Sequence, residues 1–104
     1  MGIPVSFVRP DGDRCAIVVN FGVVTGREAT QAEVDRLGRR LLESRERVTV
    51  TACRRHDLDE GGESVVHQVV VEEVDPDEAE RLLEVCEAWT ADCAAERTLE
   101  PLDG

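Results

Sequence analysis

The chain has 104 residues, 41% hydrophobic and 34% charged, with 23 acids against 12 basic residues and a formal net charge of -11. That length suits one domain, and its 28 Leu, Ile, Val and Phe, about 27% of residues, exceed the roughly 20% below which so charged a chain stays unfolded. No run approaches the roughly 20 apolar residues that span a bilayer and no signal-peptide pattern is present, so a cytoplasmic protein without a membrane role is expected.

Ile3, Val5 and Phe7 alternate with Pro4, Ser6 and Val8, and Cys15, Ile17, Val19 and Phe21 alternate with Arg14, Ala16, Val18 and Asn20. Period-two alternation predicts two strands. Arg9-Pro10-Asp11-Gly12-Asp13 between them reads as a three-residue hairpin loop, in a register that pairs Phe7 with Cys15 and Val5 with Ile17. A connection from Gly22 to Gly26 leads to Thr30-Gln31-Ala32-Glu33, a capping box opening a helix with Val34, Leu37, Leu41 and Leu42 on one face and an end near Ser44.

A second hairpin follows. Val48, Val50 and Ala52 alternate with Thr49, Thr51 and Cys53, a polar loop covers Leu58 to Glu63, and a strand covers Val65 to Val74. Asp75-Pro76-Asp77-Glu78 opens a second helix with a stripe of Ala79, Leu82, Cys86, Trp89 and Cys93, running to about Glu96. Residues 1–96 then form one domain and 97–104 a tail.

The order ββαββα predicts an α+β fold: a two-layer α/β sandwich with a four-stranded sheet and two helices on one face. The second and fourth strands lie at its centre, running parallel, and the first and third lie at its edges. The architecture resembles a circularly permuted ferredoxin-like sandwich. Residues 1–56 carry ten Arg and seven acids, whereas 57–104 carry two Arg and sixteen acids. The split predicts that Arg36, Arg39 and Arg40 of the first helix face Glu80, Glu84 and Glu87 of the second. The Arg-only basic set and sixteen valines fit GC-rich bacterial coding. With three aromatic residues and no basic stripe, nucleic-acid binding is not expected.

Helices on one face leave the other to Ser6, Val8, Ala16, Val18, Asn20, Thr49, Thr51, Cys53, Val66, Gln68 and Val70, a set without a single charge. So neutral a face in so charged a chain predicts a homodimer or a protein partner, with Val18→Glu or Val70→Glu giving soluble monomer.

The chemistry-bearing residues are sparse. The four cysteines form no CxxC pair, and Cys53 and His56 fall on opposite faces of one strand. Cys15 and His67 sit near the starts of the two central strands, and the returning second helix brings Cys93 to that end, so the three are candidates for a zinc site or a thiol nucleophile. Arg54, Arg55 and His56 form the densest basic patch, a candidate anion site, and Gly22 to Arg27 is a weaker anion loop. Glu72 and Glu73 fall on opposite strand faces. The expected function is a non-catalytic interaction module without a cofactor, using its open sheet face. The alternatives are a metal- or thiol-dependent enzyme at Cys15, His67 and Cys93, and an anion- or metabolite-sensing domain.

Overall fold

A computed structural model describes residues 4–43 and 47–99, with side chains as far as residue 96. The elements are β1 (Ser6–Asp11), β2 (Arg14–Val19), α1 (Phe21–Thr25), α2 (Gln31–Leu42), β3 (Thr49–Asp59), β4 (Gly62–Val74) and α3 (Ala79–Leu99). They build a two-layer α+β sandwich whose sheet has the order β1-β2-β4-β3. Ile3, Ser44 and residues 100–104, to which the sequence assigned a strand start, a helix end and most of a tail, lie outside the described residues. α3 runs three residues past Glu96.

β2 and β4 lie at the centre and β1 and β3 at the edges, as expected, but the central pair is antiparallel, with Ile17 opposite Val71 and Val19 opposite Val69. The helical crossover through α2 returns the chain to the end of the sheet where β2 began, so β3 runs with β2. A tight turn at Glu60-Gly61 then reverses it into β4, which slots between them. The turn is shorter than the loop read from sequence, and Asp59 Oδ1 closes it by accepting from the Gly61 N–H at 2.7 Å.

The first hairpin also turns tightly, through Gly12-Asp13, with Asp11 opposite Arg14. Gly12 has φ +64° and Asp13 no positive φ, the pattern of a type II′ turn. Pro10 therefore sits inside β1, which an edge strand tolerates. Phe7 pairs with Val18 rather than Cys15, an odd shift that exchanges the faces of β1. Phe7 packs on the outer face against Ala16, Val18 and Val70. Val8 joins the helix-side core, and the Ser6 hydroxyl donates to Glu87 of α3 at 2.9 Å.

The helix-side core joins Ile17, Val19, Val69 and Val71 of the sheet to Leu37 and Leu41 of α2 and to the whole stripe Ala79, Leu82, Cys86, Trp89 and Cys93 of α3. Trp89 stands at its centre, its ring centroid 5.1 Å from that of Phe21 and its indole N–H donating to the Glu33 carbonyl at 2.9 Å. A bulge sets Glu72 and Glu73 opposite Ala16 alone, with Glu73 at φ +55°. The extra residue lets Val71 and Val74 both point into the core.

α2 opens on the full capping box of Thr30 and Glu33. The Gly22–Gly26 stretch, read as a loop, is the turn of helix α1. It forms because a hydrogen at Gly22 lets α1 lie on β4, where a Cβ would stand 3.0 Å from the His67 backbone nitrogen, and because Gly26, at φ +74°, ends it in the left-handed region.

Candidate functional site

The outer sheet face is less open than its composition suggested. Ala16 and Val18 are 0% and 2% exposed and Val70 8%, because small side chains on the central strands sink below their neighbours, Phe7 among them. Asn20 and Gln68 are buried too, with the Gln68 amide donating to Asn20 Oδ1 at 2.7 Å and the Asn20 amide donating to the Pro4 carbonyl at 2.8 Å. Of the remaining face residues, Thr49, Thr51 and Cys53 are exposed and Val66 is half-buried. Val18→Glu and Val70→Glu therefore strike the folded core of the chain and cannot report cleanly on association.

Antiparallel pairing separates the candidate triad. Cys15 lies opposite Val74, seven positions along β4 from His67, a distance of roughly 23 Å. Cys93 is buried in the helix layer, where burial pushes its thiol above the ordinary range, and its sulfur accepts from Arg36 at 3.4 Å. Cys86 is pushed up further, to about 12, by burial and then by Glu87. Neither buried thiol is poised to lose its proton, and among the described residues no group of three His, Cys, Asp or Glu is placed to hold a metal ion.

The basic helix does meet the acidic one, at other partners. Arg36 binds Glu96 at 2.8 Å and Arg40 binds Asp92 at 2.7 Å. Glu96 is the largest cause holding the Arg36 pKa above its usual value. The meeting falls on the C-terminal half of α3, away from Glu80, Glu84 and Glu87, because Trp89 anchors that half to Glu33 at the start of α2.

What the sequence did not reveal is the length of the second hairpin. β2 covers β4 only from Val69 onward, so residues 53–59 and 62–68 continue past the sheet as a two-stranded ribbon roughly 23 Å long. Alternation stops at Cys53, because Arg54, Arg55, His56 and Asp57 are all polar, so no sequence cue marked the extension. Leu58 is 76% exposed and Val65 45%.

Arg54, Arg55 and His56 all stand exposed on this ribbon, with acids of the chain beside two of them. Arg55 binds Asp57 at 3.0 Å, and His56 Nδ1 lies 2.7 Å from Glu63. Arg54 shares a cleft with Glu28. An incoming anion would have to compete with those carboxylates. The bulge brings Glu72 and Glu73, read as pointing to opposite faces, to the lining of one cleft that also holds Arg14 and Arg47. Beside α1, His67 lines a shallow cleft with Val23 and Val65, and its Nδ1 has no hydrogen-bond partner among the described residues.

Among the described residues no helix is long and apolar enough to cross a membrane. No family model matches the chain, and no curated protein or solved structure matches it either.

Proposed function

We propose that the chain is a non-catalytic interaction module, one that associates with a second copy or a protein partner. The observation that supports this reading is the β3–β4 ribbon. A two-stranded hairpin is marginally stable by itself in water, yet this one runs on past β2, offers a free strand edge and holds Leu58 out into solvent. The outer face that first suggested association contributes its rim, Thr49, Thr51 and Cys53, which is continuous with the ribbon.

The test is the mass of the chain in solution by sedimentation equilibrium, alone and after affinity capture with identification of what elutes. A mass of two chains, or a stoichiometric protein ligand, is expected. A monomer with no stoichiometric companion overturns the reading.

A further inference from the structure

We propose that the partner is a second copy of this chain, and that two β3 strands pair antiparallel about a two-fold axis at Cys53 to make one continuous eight-stranded sheet. This rests on the reading of the chain as an interaction module and names the surface and the occupant.

Among the described residues β3 has a neighbour on one side only, and it is eleven residues long. A free edge of that length is either guarded or used. A two-fold axis normal to the sheet makes each residue of one β3 face a residue of the other on the same side of the sheet, so one residue must lie on the axis. The charges narrow the choice, and the placement of Leu58 completes it.

An axis at Arg54, Arg55 or Asp57 sets that residue against itself, and an axis at Thr51 sets Arg47 against Arg55; like charges directly opposite are destabilising. An axis at His56 overlaps only residues 53–59 and puts Arg54 against Leu58. An axis at Ala52 carries Leu58 beyond Val48. With Cys53 on the axis, Thr49 faces Asp57, Val50 faces His56, Thr51 faces Arg55 and Ala52 faces Arg54 over a strand overlap of 49–57, and the chain just before β3 sets Val48 against Leu58 and Arg47 against Asp59. The two Arg54 side chains are then diagonal neighbours, each sharing its own cleft with Glu28.

The helix side of the same edge decides between the Ala52 and Cys53 axes. α2 leaves an open groove against β3 of mixed lining, in which Val34, Leu42, Val48 and Val50 stand beside Gln31, Asp35 and Arg39, and Leu42 is 48% exposed within it. Leu58 lies on the face of β3 that carries Val48 and Val50, because it is an even number of positions from both. In the Cys53 register, Leu58 of one copy therefore enters the groove of the other beside Val48. The most exposed large apolar side chain among the described residues thus meets the Leu42, Val48 and Val50 side of a mixed cleft, twice per dimer.

The experiment uses the full chain and three variants. Leu58→Asp changes an exposed side chain, so its thermal melt should match the parent at concentrations where both are monomeric, while dimer association weakens on the order of a hundredfold as two leucines leave the contact together. Arg47→Asp and Asp59→Arg each weaken association, and their combination restores it, since the charges are exchanged across the axis. Oxidation should link the copies through Cys53 in the parent, and Leu58→Asp should abolish that link.

If the parent is monomeric at every concentration, self-pairing is lost, and a captured protein ligand would still leave the broader reading standing. If the parent is dimeric but Leu58→Asp and the charge reversals leave its mass unchanged, the copies meet elsewhere and the edge proposal fails alone. A link that forms through position 56 in His56→Cys, and not through Cys53, overturns the register.

Discussion

Glu33 bears more of the fold than its place on a helix surface implies. One carboxylate oxygen accepts from Arg27 at 2.8 Å and from the Thr30 backbone at 2.9 Å, and the other accepts from Arg27 at 2.7 Å. Its carbonyl takes the Trp89 indole N–H. Arg27 in turn lies 5.5 Å from the centre of the Phe21 ring. The Arg27 guanidinium foremost, with the Thr30 donors behind it, holds the Glu33 pKa at about 2 against an ordinary 4.5.

The difference corresponds to at most about 3 kcal/mol, and with Arg27 about a third exposed, screening brings the value nearer to 1–2 kcal/mol. Because the folded pKa is the lower one, this stabilisation is complete above about pH 4.5 and is lost as the pH falls toward 2. Glu33→Gln should therefore lower stability at neutral pH by about 1–2 kcal/mol, or on the order of 5–15 °C in Tm for a domain of this size. It should also flatten the acid limb. Urea unfolding at neutral pH and near pH 2.5 reads both effects. Equal stability of parent and variant at neutral pH, or an unchanged acid dependence, refutes the claim that this one carboxylate clamps α1 to α2.

Gly22→Ala should cost about 1–3 kcal/mol by thermal melt, because its Cβ meets the His67 backbone nitrogen at 3.0 Å and a strand backbone cannot give way. Gly38→Ala, with nothing within 4 Å of its Cβ, should instead gain about 0.5–1 kcal/mol from helix propensity. In timed thiol titration of the native chain, Cys53 should react first and Cys86 and Cys93 only on unfolding, since one is exposed and the others are buried with raised pKa values. Rapid labelling of Cys86 would contradict the packing of α3.

Features fixed by local chemistry were legible in the sequence. The capping box of α2 and the five-residue stripe of α3 follow from cap residues and helical spacing along one element, and the strand order, although it joins distant segments, follows from the order of the elements. Strand direction and register between distant segments were not legible. The parallel assignment of β2 and β4 alone had gathered Cys15 and His67 at one end. Reversing one strand moves them far apart, and no local pattern records that direction. The slip of the first hairpin has the same origin, since Pro10 fits a turn and an edge strand equally well and the choice is made by Val8 and Ser6 meeting α3. Alternation tells which side chains share a face but not which face is covered, nor how far a hairpin outruns its sheet. Arg54, Arg55, His56 and Asp57 are polar on both faces, so the pattern stops at Cys53 while the strand runs on to Asp59, and only the pairing with β4 shows the ribbon and the edge it leaves to fill.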